Sequence, residues 1–414
     1  MSIKLGNPLH VCRVCKSTNL KKIFSFGPTP LANNFLHETE KDLPELFFPL
    51  DVFFCQSCSF LQLGYVVNPK LLFDNYVYVS STSAVFVNHF VKFSDDVIKK
   101  FSLTNASFVV DIGSNDGILL LPYLKKGIKV LGIEPAKHIA EIARKKGITT
   151  VAKYFSVKLA NRAVKKPEKA DIVTATNVFA HINDLDEVIN GVKSIIKKDG
   201  VFIIEAPYLI DFLEKKYFDL VYHEHLSYWS VRSFITIFKR FDMEVFDVEK
   251  VSVHGGSIRV YVKNKNSKYK KSNSVSKFLE KEKRMKLGKI QTYLSFQNEI
   301  LKIRAKLVSL LKDLKLKGKT IAAYGAPAKG NTLLNYFKIG SEIIEYVVDD
   351  SSYKQGLYTP GTRIRVVSSD ELNINQPDYI LILAWNFKES IIENNSWLKK
   401  RSKFIIPLPY PEIL

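Results

Sequence analysis

The chain has 414 residues, a hydrophobic content of 46% and a formal charge of +20 at neutral pH. This length exceeds what one hydrophobic core organises and predicts two to four domains. No uninterrupted apolar run approaches the roughly 20 residues of a bilayer-spanning helix, so we exclude a protein with helical membrane spans and expect no membrane partner. The positive charge suits nucleic acid or a small anionic substrate. Because the lysine runs are scattered and no RNA-reading signature accompanies them, we expect no nucleic acid partner.

All four cysteines of the chain form two pairs of equal spacing, Cys12-x-x-Cys15 and Cys55-x-x-Cys58. A two-residue gap lets one tight turn aim two thiolates at a single ion, and the second pair completes a tetrahedral shell. The pattern predicts a closed, structural Zn²⁺ site, with iron as the other metal that four thiolates hold. Disulfide bonds and unrelated thiols are the alternatives. The start Met1-Ser2-Ile3-Lys4 carries no secretory signal and indicates the reducing cytoplasm.

The segment between the two cysteine pairs is rich in turn-forming residues. From Gly27 to Phe35 it contains a glycine and two prolines, which disfavour regular structure. We therefore expect this stretch to be irregular and to take its order from the metal.

From about Leu71 to Val262 the sequence alternates short apolar runs with helical stretches. The runs that we expect to be strands are Phe108 to Ile112, Lys129 to Ile133, Ile172 to Ala175 and Val201 to Glu205. Alternation of this kind predicts an α/β domain with a parallel sheet covered by helices.

A glycine loop follows the first of these strands. It contains Asp111, Gly113, Asn115 and Gly117, and a second acid, Glu134, ends the next strand. The glycines allow a ligand to approach the backbone, and an acid at the end of the second strand accepts hydrogen bonds from ribose hydroxyls. The pattern resembles the class I methyltransferases that use S-adenosylmethionine, although Asn115 replaces the usual middle glycine. The carboxylate of Asp111 would repel phosphates but suits the amino and sulfonium cations of this cofactor. An ordinary glycine turn remains the alternative.

The next strand leads to two further candidates. Asn177 falls where such folds line the methionine end of the cofactor, and His181 follows at the edge where α/β enzymes place ligands. His181 is also compatible with a capping or core histidine.

The densest group of reactive side chains lies at Tyr222, His223, Glu224 and His225. Polar residues of this density next to an aromatic run are typical of a loop that lines a pocket. Methylation of carbon requires a nucleophilic carbon, which a base generates beside a ketone, and imidazole is suited to that proton transfer. We therefore expect an imidazole of this group as the base, Tyr222 and His181 near the enolate oxygen, and Glu224 orienting the imidazole or binding a substrate hydroxyl. A hydrogen-bonded surface turn is the alternative.

The C-terminal third begins with a lysine-rich stretch, from Asn264 to Lys317, whose apolar residues predict one or two long helices. A second strand and helix alternation starts at Lys319 and indicates a smaller α/β domain. Its first loop, Gly325 to Gly330, follows a strand and precedes a helix, so its amides are placed to meet an anionic ligand. A purely structural turn is the alternative.

Taken together, the motifs resemble the nucleotide-sugar C-methyltransferases that make branched deoxysugars. The motifs that match are both cysteine pairs, the Pro30 to Phe35 turn, the Asp111 to Gly117 loop, His223 to Tyr228, His254 to Arg259 and Tyr324 to Thr332. The resemblance implies a zinc-binding domain (1–68), a class I methyltransferase domain with a Rossmann-like fold (69–265), a helical connector (266–316) and a C-terminal Rossmann-like domain that helps to bind the nucleotide sugar (317–414).

The resemblance also implies roles for individual residues. A histidine that matches His225 is the proposed base, and Tyr76, His181, Tyr222 and Glu224 line the same pocket. Lys329 and Asn331 would contact the nucleotide. The implied cofactors are S-adenosylmethionine and Zn²⁺, and the implied partner is a 4-keto-6-deoxy sugar linked to dTDP, or alternatively to GDP or CDP. We expect a monomer.

Two other classes of protein remain possible from the sequence. The charge and the cysteine pairs are compatible with a zinc-containing RNA or DNA methyltransferase, whose affinity would fall steeply with salt. A non-catalytic nucleotide-sugar-binding homologue is the second, although Tyr222, Glu224 and His225 are all present.

Overall fold

The computed structural model of the protein describes residues 5–73, 81, 84–164 and 168–414. Within these ranges, no helix is both long enough and apolar enough to cross a lipid bilayer. Tyr76, which the resemblance places in the substrate pocket, lies outside the described residues.

The N-terminal region is built from short antiparallel strands. Its elements are β1 (Gly6–Pro8), β2 (Leu20–Thr29), β3 (Phe48–Cys55), β4 (Leu61–Leu63), β5 (Tyr65–Val67) and the helix α1 (Pro69–Phe73). β3 pairs with both β2 and β4, and β1 pairs with β5. Along β3, Phe48, Leu50, Val52 and Phe54 are buried in alternation, which is the period of a strand with one face on a core.

The expectation of irregular structure is wrong for the first part of the turn-rich segment. Gly27, Pro28 and Thr29 are the last residues of β2. The pairing of β2 with β3 is irregular between Ser25 and Pro28, and Pro28 lies opposite Pro49. A bulge on an edge strand accommodates proline because the missing amide interrupts no regular ladder.

The central region alternates strands and helices. Its elements are α2 (Ala84–Phe101), β6 (Phe108–Ile112), α3 (Leu120–Lys125), β7 (Lys129–Ile133), α4 (Lys137–Lys145), β8 (Thr150–Val151), α5 (Val157–Ala163), β9 (Ala170–Thr176), α6 (Leu185–Ile195), β10 (Ile196–Pro207), α7 (Leu209–Glu214), β11 (Ser227–Tyr228), α8 (Val231–Lys239), β12 (Met243–Val251) and β13 (Ser257–Asn264).

Seven of these strands form one sheet in the order β8-β7-β6-β9-β10-β13-β12. All four expected strands are present, and five neighbouring strands are parallel as predicted. β13 is the exception, since it runs antiparallel to both neighbours. The short connection from Val251 to Ser257 accounts for this, because parallel neighbours require a long crossover. The carboxyl ends of β6, β7, β9 and β10 meet at one edge of the sheet.

The strand β11 does not join the central sheet. It pairs with β4, so that Ser227 lies opposite Gln62 and Tyr228 opposite Leu61. The N-terminal sheet therefore has the order β11-β4-β3-β2. A segment from the central region is thus an integral strand of the N-terminal sheet.

The C-terminal region begins with two helices, as the sequence predicted. Its elements are α9 (Asn273–Arg284), α10 (Ile290–Leu316), β14 (Ile321–Tyr324), α11 (Ala328–Phe337), β15 (Val347–Val348), β16 (Val366–Val367), α12 (Glu371–Ile374), β17 (Tyr379–Ile382), α13 (Lys388–Asn394), β18 (Lys403–Ile406) and β19 (Glu412–Ile413). Six strands form a second α/β sheet in the order β16-β15-β14-β17-β18-β19, parallel except for β19.

Candidate active site

The four cysteines come together at one end of the N-terminal sheet. All four Sγ atoms lie within 4.8 Å of one another, and none is in a disulfide. The Sγ atoms of Cys12 and Cys58 are 3.6 Å apart, and those of Cys15 and Cys55 are 3.5 Å apart. Four thiolates around Zn²⁺ at about 2.3 Å would be separated by about 3.8 Å. The donor set therefore fits a structural zinc ion.

The glycine loop after β6 turns sharply. Gly113 (φ +69°), Asn115 (φ +47°) and Gly117 (φ +78°) all adopt the left-handed conformation. A Cβ atom on Gly113 would lie 2.7 Å from Cγ2 of Val178, and one on Gly117 would lie 2.1 Å from Cδ1 of Ile148. Both glycines are required by close packing as well as by backbone geometry.

The two acids predicted to bind the cofactor lie beside this loop. Asp111 is buried in β6, accepts a 2.6 Å hydrogen bond from Oγ1 of Thr174, and burial raises its pKa to about 7. Glu134 accepts hydrogen bonds from the amides of Asn115 (3.0 Å) and Ala136 (2.9 Å), and burial raises its pKa. Since Asp111 is buried and bonded to Thr174 of the neighbouring strand, its interaction with the cations of a cofactor stays a prediction.

The loop after β9 connects the glycine turn with the histidine cluster. The amide of Asn177 (φ +55°) donates to the carbonyl oxygen of Glu205 at 2.8 Å, and Val178 packs on Gly113. A short 3₁₀ turn, Phe179–His181, follows. The ring of His181 meets that of His225 edge to face, with centroids 5.0 Å apart.

Both ring nitrogens of His225 take part in hydrogen bonds, which fix the orientation of the imidazole. Its Nδ1 lies 2.7 Å from the carbonyl oxygen of Leu220, and its Nε2 lies 2.8 Å from the hydroxyl of Tyr222. A carbonyl only accepts, so Nδ1 carries the proton and Nε2 accepts from Tyr222. The basic lone pair of the neutral imidazole is therefore Nε2, on the side where Tyr222 lies.

The two preceding residues point to the N-terminal region. Glu224 is 3% exposed, accepts a 2.5 Å hydrogen bond from Nδ2 of Asn33, and burial raises its pKa to about 7. His223 donates from Nε2 to the carbonyl oxygen of Phe48 at 3.2 Å, and burial lowers its pKa to about 4. His223 is therefore a neutral structural residue, whereas Glu224 is a buried carboxyl group whose contact with a substrate stays a prediction.

Residues of the N-terminal sheet also hold the chain after His225. The carbonyl oxygen of Leu226 accepts from the amide of Leu63 (3.0 Å) and from Nη1 of Arg13 (3.2 Å). Arg13 lies between the first two cysteines and is 2% exposed. The sequence reasoning did not select Arg13 or Asn33, although Asn33 belongs to the Pro30 to Phe35 turn, which was a usable signal.

The predicted nucleotide contacts lie at the start of α11. Nδ2 of Asn331 donates to the carbonyl oxygen of Ala32 at 2.7 Å. Lys329 contacts the side-chain oxygen of Asn386 and places Nζ 3.6 Å from the ring centroid of Trp385, and burial lowers its pKa to about 7. Asn331 thus joins the C-terminal region to the N-terminal region, whereas Lys329 packs on Trp385 within the C-terminal region. The contact of either side chain with a nucleotide stays a prediction.

Three protein families match successive parts of the chain. Residues 12–73 match the family described as "Putative zinc binding domain", residues 87–248 match "Methyltransferase domain", and residues 252–409 match "C-methyltransferase C-terminal domain".

The chain is also similar to individual proteins. C-methyltransferase NovU of Streptomyces niveus is 35% identical over 408 residues, which are 98% of this chain and 97% of that protein. A ubiquinone biosynthesis O-methyltransferase of Pelagibacter ubique is 26% identical over 141 residues, 33% of this chain and 58% of that protein. Among solved structures, an S-adenosylmethionine-dependent methyltransferase of Clostridium acetobutylicum covers 43% of this chain and 91% of its own, with 15% identity and a TM-score of 0.35.

Proposed function

The chain belongs to the S-adenosylmethionine-dependent C-methyltransferases, and from this membership we propose that its acceptor is the carbon beside the 4-keto group of a 4-keto-6-deoxy nucleotide sugar. Methylation at carbon needs an acidified C–H bond and a base, and a neighbouring ketone supplies the acidity. The motifs shared with the enzymes of branched deoxysugars support the sugar, and dTDP is the nucleotide that we test first.

The arrangement of His225 carries this proposal. Its Nδ1–H is held by the carbonyl of Leu220, which leaves Nε2 as the base, and the ring of His181 packs against it. His181 belongs to the same loop as Val178, which touches the glycine turn. One loop therefore links the base to the place where the cofactor is proposed to bind.

In the proposed reaction, Nε2 of His225 removes the proton from the carbon beside the ketone, and the electron pair of that C–H bond forms an enolate. The hydroxyl of Tyr222, which donates to Nε2 in the structure, turns to donate to the enolate oxygen, assisted by His181. S-adenosylmethionine, when bound, supplies the electrophilic methyl group that this carbon attacks. Glu224 holds a sugar hydroxyl or supports the loop through Asn33, and Tyr76 is proposed to line the same pocket.

The cofactor is proposed to bind at the edge formed by β6, β7 and β9. Gly113, Asn115 and Gly117 let it approach the backbone, Glu134 accepts from the ribose hydroxyls, and Asn177 lies at the methionine end. In the C-terminal region, Lys329 and Asn331 are proposed to contact the nucleotide of the substrate. The tetrahedral thiolate site holds Zn²⁺ in a structural role.

The variant His225→Ala tests the assignment of the base. We expect S-adenosylmethionine to bind with unchanged affinity, because the glycine turn is intact, while methyl transfer falls about 10²- to 10⁴-fold. Exchange of the acidic C–H with solvent deuterium, measured by mass spectrometry on dTDP-4-keto-6-deoxyglucose, should fall equally. The exposed His10→Ala serves as the control and should retain both activities. Unimpaired exchange in the His225 variant would contradict the proposal.

A panel of keto-sugar nucleotides tests the substrate class. Incubation with S-adenosylmethionine should add the mass of one methyl group to a dTDP, GDP or CDP 4-keto-6-deoxy sugar. Nuclear magnetic resonance of the product should locate the methyl on carbon. A methyl group found on oxygen, or no product from any keto sugar, would reject this class.

A further inference from the structure

The C-terminal region contacts the turn that orients His225 through Trp385 and Phe337, two residues to which the proposed chemistry gives no role. That turn is the 3₁₀ segment Phe218–Leu220, and its last carbonyl oxygen accepts from Nδ1 of His225. We propose that Trp385 is a positioning residue for His225, acting through a hydrogen bond to the buried carboxylate of Asp219. The inference rests on the proposed role of His225 as the base.

The contact between Trp385 and Asp219 is short and excluded from solvent. Nε1 of Trp385 donates to Oδ2 of Asp219 at 2.5 Å, and the two residues are 5% and 0% exposed. Both faces of the indole are covered. Tyr217 stacks on the ring with centroids 4.0 Å apart, and Nζ of Lys329 lies 3.6 Å from the ring centroid. The indole is therefore fixed in one orientation, in which Nε1 donates to Asp219.

The neighbouring residue of the turn is anchored to the same region. Phe218 stacks on Phe337 of α11 with centroids 5.0 Å apart. Two consecutive residues, Phe218 and Asp219, thus dock on the C-terminal region, and Leu220 follows directly. Because the Leu220 carbonyl fixes the proton on Nδ1, a displaced turn would free the imidazole to rotate or to change tautomer. Without the N–H of Trp385, the buried carboxylate of Asp219 would lack this hydrogen-bond donor. Leaving a buried charged group without its donor is costly enough to displace the turn.

Four variants separate this role from general stability. Trp385→Phe keeps an aromatic ring but removes the N–H, and Asp219→Ala removes its acceptor, whereas Asp219→Asn retains an acceptor oxygen. We expect the first two to lower kcat for methylation of dTDP-4-keto-6-deoxyglucose about 10- to 100-fold, with the affinity for S-adenosylmethionine nearly unchanged. In Trp385→Phe an aromatic ring remains beside Nζ of Lys329, so KM for the sugar nucleotide should be nearly unchanged as well. Asp219→Asn should retain most of the activity. Trp397→Phe, at a residue that is 43% exposed, is the control and should match the unmodified protein.

The double variant Trp385→Phe, Asp219→Ala should lose no more activity than either single variant, because both remove one interaction. Additive losses, or an unchanged kcat in Trp385→Phe, would overturn the proposal.

A second measurement needs no substrate. In protein labelled with ¹⁵N-histidine, Trp385→Phe should shift the Nδ1–H signal of His225, assigned by its loss in His225→Ala. If the enzyme fails on every keto sugar but this signal shifts, the positioning role stands and the proposed substrate falls. An unshifted signal removes the positioning role whatever the substrate is.

Discussion

His223 and His225 have the same side chain but lie in different surroundings. His223 donates to the backbone of Phe48 and its pKa is lowered by burial, so it stays neutral. His225 is only partly buried and holds a defined tautomer beside a hydroxyl group. The same side chain in two environments therefore has different properties, and the role of His225 as the base stays a proposal.

Glu224 should make the stability of the protein depend on pH. Burial raises its pKa in the folded state to about 7, against an ordinary value of 4.5, so folding favours the protonated form. Its contribution is present below pH 4.5 and is lost as the pH rises through 7. A shift of about 2.5 pKa units corresponds to about 3 kcal/mol. Glu224→Gln should therefore become more stable relative to the unmodified protein between pH 5 and pH 8, by about 2 to 3 kcal/mol.

Urea unfolding at several pH values measures this effect, and the groups common to both proteins cancel in the difference. Glu393→Gln, at an exposed position of α13, makes the same chemical change at the surface and is the matched control. A Glu224→Gln curve parallel to that of the unmodified protein would mean that the carboxyl group is ionised in the folded state.

At the scale of elements, close packing constrains the glycine turn after β6. Gly113→Ala would place a methyl group 2.7 Å from Val178 as well as imposing a left-handed conformation on alanine. Relief of the clash moves the loop that carries Asn177 and His181. We expect at least about tenfold weaker binding of S-adenosylmethionine, which is about 1.4 kcal/mol.

Gly127→Ala separates backbone strain from this clash. Gly127 also has a positive φ (+74°), but the nearest heavy atom to its Cβ would be 3.9 Å away. Titration calorimetry should show normal cofactor affinity for this variant and weakened affinity for Gly113→Ala. Equal affinities in the two variants would remove Val178 from the account of the site.

Strands that consist of a nearly continuous apolar run were predictable from the sequence. Strands that exist only because they pair with a distant segment were not. The apolar runs of β6 and β7 match the observed strands because buried parallel strands are nearly continuous in apolar residues. The end of β2 was missed because its proline, Pro28, is tolerated at a bulge. β11 has two residues, and only its pairing with β4 makes it a strand.

At the scale of the whole molecule, the site is assembled from segments far apart in sequence. The motifs predicted that Tyr222 and His225 belong to one site, since they lie three residues apart in the chain and carry reactive groups, and their side chains are in contact. Their supports were not predictable by spacing, because Asn33 is 191 residues from Glu224 and Arg13 is 213 residues from Leu226. A local pattern contains no information about such contacts unless a motif resemblance supplies it.

The position of the thiolate site predicts that zinc removal should affect catalysis more than cofactor binding. A structural zinc ion stabilises its domain by about 10 kcal/mol or more in small zinc modules, so its loss should loosen the N-terminal sheet. That sheet pairs with β11 and holds the Leu226 carbonyl through Leu63 and Arg13, immediately after His225. The glycine turn, by contrast, belongs to the central sheet.

We therefore expect chelated protein, or the variant Cys55→Ser, to bind S-adenosylmethionine with little change while methyl transfer falls about 10²-fold or more, because His225, the proposed base, is displaced. Hydrogen exchange of the amides of residues 222–228 should accelerate together with the loss of activity, and added Zn²⁺ should restore both in the chelated protein. Metal analysis should give one zinc per chain. If the metal-free protein keeps slow exchange in this segment and full methyl transfer, the N-terminal sheet holds the catalytic loop without its metal, and the coupling between zinc and His225 does not exist.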